Sequence, residues 1–259
     1  MHSHIDFAYP WYLTYGHLTI VAVVLPLLVM GWVRKWPKLL LGIIGAVTLW
    51  AVAGFLMARF GLNVNGRAVM PTEKFLASGS GKVLDMGAGS GRSSLMVLEA
   101  RPKTTLVALD NFSTEYSRHF GTDGNVEEVL DAGQKRLLSN FKAAGVERRA
   151  SIQPGDMRKM PFEAATFDAI VSAYAIDHLN RDGIKSSMNE ASRVLKPRGE
   201  FLLMVIAKDF WVRFAWGPIF LHSGMRGPDR WTSFLRDAGF EVVEQGTRPA
   251  TMYFLARKP

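Results

Sequence analysis

The chain has 259 residues, no cysteine and a formal net charge of +8. That length allows one large α/β domain plus a small appendage, and the missing cysteine excludes disulfides, thiolate metal sites and a cysteine nucleophile. Residues 1–74 carry six basic against two acidic residues and the other 185 carry 25 against 21, so half of the surplus sits in the apolar N-terminal part. The small excess over the rest gives no support to a nucleic-acid partner, whereas the N-terminal density suits anionic lipid.

From Trp11 to Val33 the sequence is almost wholly apolar, with Gly16, His17 and Thr19 as mild exceptions and Pro26 in the middle. A basic turn, Arg34-Lys35-Trp36-Pro37-Lys38, separates it from Leu39–Met57, which carries no charge. A bilayer core of about 30 Å needs roughly 20 apolar residues in a helix. The two runs therefore predict an α-helical transmembrane hairpin over residues 1–58, with helices at about 11–33 and 39–57. Trp11, Tyr12 and Tyr15 at one end, and Trp32 and Trp36 at the other, fit interfacial belts. A buried soluble hairpin is the alternative. A cleaved signal peptide is not expected, because the basic n-region is missing and the apolar content is long and doubled. Residues 59–80, with Gly61, Gly66, Pro71 and Gly79, read as a linker holding one short helix at about Pro71–Ala77. The early histidines, His2 and His4, read as an exposed end.

Residues 83–94 read V-L-D-M-G-A-G-S-G-R-S-S, and Leu95-Met96-Val97-Leu98 follows at once. This predicts a strand, a tight glycine turn and a helix N-terminus. Glycine serves where the backbone takes positive φ or must approach a ligand closely, and the helix start offers free N–H groups. A nucleotide-like cofactor fits. The dinucleotide pattern G-x-G-x-x-G is not met, because the third glycine comes one place early at Gly91 and Arg92 follows. The acid at Asp85 suits a cofactor with an ammonium or sulfonium group and no pyrophosphate. The stretch resembles motif I of the class I S-adenosylmethionine (SAM)-dependent methyltransferases, D/E-x-G-x-G-x-G.

Thr105–Asp110 reads as a second buried strand ending in an acid, 25 residues beyond Asp85. A carboxylate there can accept both ribose hydroxyls of an adenosine, or merely cap a helix. Helical periodicity runs over 123–145, with Val126, Val129, Leu130, Leu137, Leu138 and Phe141 before Gly145. A short third strand at Ala150–Gln153 leads to Gly155-Asp156-Met157. Phe167–Leu179 supplies a fourth strand and its loop. A helix then runs to about Leu195, and Lys196-Pro197-Arg198-Gly199 turns into a fifth strand at Glu200–Ile206. Trp231–Phe240 reads as a last helix, and Glu241–Glu244 and Ala250–Leu255 as two more strands.

The series F-D-x-I-V, then H-L, then R-V-L-K-P-R-G-E-F-L-L is similar to the ubiquinone/menaquinone-biosynthesis-type methyltransferases. The likeness covers about residues 71–208 and 228–259. The alternation of strands and helices predicts an α/β fold with a doubly wound, mostly parallel seven-stranded sheet. The resemblance implies that this is the Rossmann-like methyltransferase fold over residues 81–259, with the last strand antiparallel. It implies SAM as cofactor, with contacts at Asp85, Gly87, Ala88, Gly89, Gly91, Asp110, Asn111, Asp156, Met157 and Ala173. In the family the acid matching Asp156 accepts from the adenine amino group, and the N–H matching Met157 reaches a ring nitrogen. Because SAM is made in the cytosol, the cofactor domain is expected to face the cytoplasm from the inner membrane. That sends the basic turn outward, against the positive-inside tendency, unless the hairpin is shallow or Arg59, Arg67 and Lys74 outweigh the turn.

Residues 208–227 are rich in aromatics and interrupt the resemblance. They read either as a lid facing the bilayer or as a cap completing the core. Methyl transfer draws on in-line positioning, and a base is needed only where the acceptor must lose a proton. Catalytic candidates are His178 and Asp177, with Tyr116 and His119 from the loop after the second strand and His222 in the lid. The six histidines are scattered and form no metal constellation. The reading is a membrane-anchored methyltransferase for a small lipophilic acceptor, such as a quinone precursor or a phospholipid amine. Two alternatives stand beside it: the same enzyme acting on a soluble thiol, phenol or amine, and a non-catalytic tethered partner protein. Oligomeric state is left open.

Overall fold

In the computed structural model residues 5–63, 65–112, 126–207, 209–217 and 226–259 are described. They fall into two units, one made by residues 9–66 with the described part of 209–221, the other by the described part of 1–8, 67–208 and 222–259.

The larger unit is built on a sheet whose central strands are short apolar runs with little polar alternation, as strands covered on both faces must be. Its strands are β1 (Ser80–Met86), β2 (Lys103–Asp110), β3 (Ala150–Pro154), β4 (Phe167–Ala173), β5 (Leu195–Ile206), β6 (Glu241–Arg248) and β7 (Thr251–Arg257). They lie in the order β3-β2-β1-β4-β5-β7-β6. β7 runs antiparallel to both of its neighbours, β5 and β6, and the other pairings are parallel. β1 sits centrally, with Asp85 opposite Ala108 on one side and Val171 on the other. The chain order switches direction between β1 and β4, and in open α/β sheets ligands bind outside the carboxyl ends of the strands at that point.

Leu84, Met86, Ile170, Phe201, Leu203 and Phe254 from the sheet, with Trp231 from the helix at Pro228–Asp237, lie in the core. Two elements depart from expectation. Residues 73–78 form turns rather than a short helix; Phe75 is fully buried, and the Phe75 and Glu73 carbonyls bond to Arg101 instead of closing a helical ladder. β5 begins five residues early, because its Lys196–Gly199 turn is tied to the end of β7: Arg198 N–H donates to Lys258 O, and Lys258 N–H to Gly199 O, each at 3.0 Å.

The smaller unit is a helical hairpin. α1 (Trp11–Val33) and α2 (Lys38–Leu56) are joined by the basic turn, and α2 continues as π-helix over Met57–Leu62. Pro26 lies inside α1 without ending it. The helices approach closely where glycine leaves room: a Cβ on Gly31 would meet the Trp36 ring at 2.7 Å, and one on Gly54 the His17 ring at 2.5 Å. Residues 209–217, read in the sequence as the start of a lid or a cap, pack within this unit. They hold a short helix, Phe210–Trp216, whose first turn is capped by Asp209 Oδ1 accepting from Val212 N–H at 2.9 Å.

Candidate active site

The glycine turn closes at the end of β1. Gly87, Gly89 and Gly91 have φ of 82°, 52° and 89°, which side chains disfavour. Space is short as well: a Cβ on Gly87 would lie 2.3 Å from Ala175 Cβ and 2.9 Å from Met157 Cε. Gly87 and Ala88 both donate to Leu109 O, so the turn is pinned to the end of β2. The helix Arg92–Ala100 starts directly behind Gly91.

Asp85 is fully buried under this turn. Its Oδ2 accepts from Ser93 Oγ at 2.7 Å and Ser94 Oγ at 2.5 Å, which ties β1 to the helix that follows. Its Oδ1 has no hydrogen-bond partner. Burial pushes the carboxyl up to about 6, against the pull of the two serine hydroxyls, and nearby Asp110 adds to the rise. A buried carboxylate oxygen left open beside a glycine turn fits a cationic group, and SAM carries both an ammonium and a sulfonium.

Asp110 ends β2 and is also buried. Its Oδ2 accepts from Gly89 N–H at 2.8 Å and its Oδ1 from Phe112 N–H at 2.9 Å. Burial raises its pKa, and these backbone bonds hold the rise back. Each oxygen keeps a second lone pair that a ribose hydroxyl can use. Asn111 beside it is exposed.

The structure brings Met157, Ala173 and Ala175 to the same edge of the sheet as Gly87. Asp156 is engaged differently from expectation. Arg158 grips it through N–H, Nε and Nη2, with the shortest bond 2.6 Å, and holds its carboxyl below the usual range. An adenine amino group would share Asp156 with that guanidinium.

Beyond β4, Tyr174 takes φ of 55° and its hydroxyl lies 2.5 Å from Thr251 Oγ1. Asp177 follows in a short 3-10 turn, Ile176–His178. Its Oδ2 accepts from Ile206 N–H at 3.3 Å, and its Oδ1 is shut from solvent without a partner. Burial raises its pKa despite the opposing charges of His178 and Arg226. His178 itself is exposed. Tyr116, His119 and His222 lie outside the described residues.

Three supporting residues escaped the sequence reading. Ser172 Oγ donates to Met86 O at 2.8 Å and holds β1 against β4. Asn140 Nδ2 donates to Ser90 O at 2.8 Å and to Asp6 O at 2.7 Å, while its Oδ1 accepts from Asp6 N–H. Ser90 Oγ donates to Phe7 O. Residues 5–8 are thus strapped to the glycine turn, with Phe7 buried, and are no loose end. The available signal was a polar residue at 140 on the same helix face as Leu137 and Phe141. Among the described residues no group of three His, Asp or Glu side chains could hold a metal ion.

Residues 84–203 match the family model described as a methyltransferase domain. A sterol 4-C-methyltransferase from Caenorhabditis elegans is 30% identical over 137 residues, 52% of this chain and 34% of that protein. A ubiquinone/menaquinone biosynthesis C-methyltransferase from Bartonella quintana is 31% identical over 124 residues, 48% of this chain and 40% of that one. The chain thus spans well under half the length of either relative. The solved structure of an O-methyltransferase family protein from Burkholderia thailandensis shares the fold, with a TM-score of 0.56 at 14% identity, over 82% of this chain and 60% of that one. The sequence match and the sheet order agree: residues 84–203 are similar to SAM-dependent methyltransferase domains, the ubiquinone/menaquinone type among them, and SAM is the cofactor of that class.

Proposed function

We propose that the chain is a membrane-anchored methyltransferase that passes a methyl group to a small lipophilic acceptor, a quinone precursor or a phospholipid amine. The observation that carries the activity is the open, buried Oδ1 of Asp85 beneath the glycine turn. The sterol and quinone named for the two relatives support a lipophilic acceptor.

When bound, SAM supplies a methyl group on a positively charged sulfur, open to attack by a nucleophile. Asp85 Oδ1 would take its ammonium group. Asp110 holds Gly89 in place and offers its remaining lone pairs to the ribose. Asp156 and the Met157 N–H would hold the adenine, with Ala88, Asn111 and Ala173 beside it. Asp177 Oδ1 accepts a hydrogen bond from the acceptor's hydroxyl or amine and, with its raised pKa, takes that proton where the acceptor must lose it.

Membrane anchoring rests on the hairpin. Its helices are 23 and 25 residues long, counting the π-helical end, and only 11% and 17% of their apolar windows are buried. A core helix of a soluble domain would be mostly covered. Instead Trp32, Leu39 and Leu49 are each more than 70% exposed. Such surface is costly in water and at home in lipid. With the cofactor domain on the cytoplasmic side of the inner membrane, Arg59, Arg67 and Lys74 stay inside and counterweigh the outward basic turn.

The test is methyl transfer from label-bearing SAM by the full chain in vesicles, offered a membrane lipid extract and a pool of water-soluble metabolites. Label in the organic phase supports the reading. Label in the aqueous pool alone shifts it to a soluble acceptor, with the hairpin as anchor only.

A further inference from the structure

The glycine turn does not hold its shape unaided. Glycine is conformationally permissive, and Ser90 stands between Gly89 and Gly91, both at left-handed φ. Asp110 and Leu109 O brace the first half of the turn, residues 87–89. The second half is the Ser90–Gly91 peptide, from which the helix Arg92–Ala100 starts. The N–H of that peptide donates to Ala88 O at 2.8 Å, and its carbonyl accepts from Asn140 Nδ2 at 2.8 Å.

Asn140 is 1% exposed and has both amide hydrogens in use. One goes to Ser90 O and the other to Asp6 O, while Oδ1 accepts from Asp6 N–H. The amide thus grips Asp6 through donor and acceptor together and turns its second hydrogen on the glycine turn. A carboxylate in its place would have no donor, and a hydrocarbon neither donor nor acceptor. Ser90 makes the reciprocal contact, Oγ donating to Phe7 O at 2.8 Å. The helix that carries Asn140, Val126–Ala143, also braces the site at two further points. A Cβ on Gly91 would meet its Leu137 at 2.5 Å, and Gly133 packs against Phe112, whose N–H donates to Asp110.

We infer that Asn140 and residues 5–8 position the cofactor site. With the strap seated, the Ser90–Gly91 peptide is held in its binding orientation; with the strap released, the turn loosens and SAM is held more weakly. Asn140 and the strap are positioning residues, acting through Ser90. Coupling of this kind is reciprocal, so bound cofactor must keep the strap seated by the factor that the seated strap adds to affinity. A strap that only added stability would carry no such link to the ligand. The inference rests on the reading of the turn as a SAM site.

Reciprocity supplies the test. Deuterium uptake at residues 5–8 is followed by mass spectrometry in the full chain in detergent, with and without a saturating amount of the demethylated product of SAM. Affinity for that ligand is read by calorimetry in the native chain, Asn140→Asp and Ser90→Ala. Asn140→Asp keeps the size but sets a carboxylate against the Ser90 and Asp6 carbonyls. Ser90→Ala removes only the bond to Phe7 O. Ligand is expected to slow uptake in the native chain at least about fivefold, and Asn140→Asp to weaken binding by a similar factor. Ser90→Ala should weaken it less. The uptake measurement needs no variant, so it stands even where Asn140→Asp fails to fold. Equal uptake with and without a ligand that binds would overturn the inference, as would native affinity in both variants. A native chain that binds no ligand would instead overturn the reading of the turn, and the inference with it.

Discussion

Asp110 Oδ2 accepts the Gly89 N–H at 2.8 Å, so the acid at the end of β2 holds the glycine turn at the end of β1. One carboxylate thereby shapes the turn and, in the proposed function, would also hold the cofactor's ribose. Asp110→Ala leaves the Gly89 and Phe112 N–H groups without their partner, and each buried loss costs about 1–3 kcal/mol. The expected result is a lower melting temperature together with a fall in SAM affinity of at least about tenfold. Thermal unfolding with and without SAM checks both.

Position 87 tests the turn sterically. Gly87→Ala combines a left-handed φ with a Cβ 2.3 Å from that of Ala175, so backbone strain of roughly 1–3 kcal/mol adds to a clash. SAM binding should be lost. Gly145 offers the control, with φ +68° but nothing within 4 Å of an added Cβ. Gly145→Ala should cost only about 1 kcal/mol and leave SAM binding intact. Equal effects at the two sites would contradict the geometry.

Asp85 makes the protein pH-sensitive in a definite direction. Its carboxyl titrates at about 6 in the fold and at 3.8 ordinarily, so the unfolded chain ionises first as pH rises. The folded state then holds the extra proton, and stability of the cofactor-free protein falls between about pH 4 and pH 6, by ~3 kcal/mol at most. Above that window the loss is complete. A bound ammonium favours the ionised carboxylate, so SAM affinity should climb through pH 6. Asp85→Asn should flatten both dependences, and denaturant melts and calorimetry across pH 4–8 read them.

Asp177 separates acceptor chemistry from cofactor binding. Asp177→Asn keeps the bond from Ile206 N–H but removes the ionisable oxygen that has no partner. Methyl transfer should drop by about 10²-fold or more if the group acts as base, with SAM affinity unchanged. His178→Ala, at an exposed position, should cost far less. Steady-state rates with both variants decide between them.

The glycine turn was legible because its cause is local: three glycines and one acid stand between an apolar strand and the start of a helix. The parallel core strands were legible for the same reason. What the sequence hid depends on distant partners. The strap at Asp6 and Phe7 is fixed by Asn140 and Ser90, 134 and 83 residues away. Segment 209–217 reads as a lid or a cap by its aromatic content, yet its carbonyl at Phe214 is claimed by Trp50 from 164 residues upstream. Asp156 looked free for an adenine until Arg158, two residues on, folded back upon it. Periodicity carries no information about such pairings.

The central claim is that the turn over Asp85 is a SAM site. The most direct measurement is calorimetric titration of SAM, and of its demethylated product, into the purified full chain in detergent, with Asp110→Ala alongside. Micromolar binding of both ligands to the native chain, lost or strongly weakened in Asp110→Ala, is the predicted result. A well-folded native chain that binds neither ligand would contradict the account.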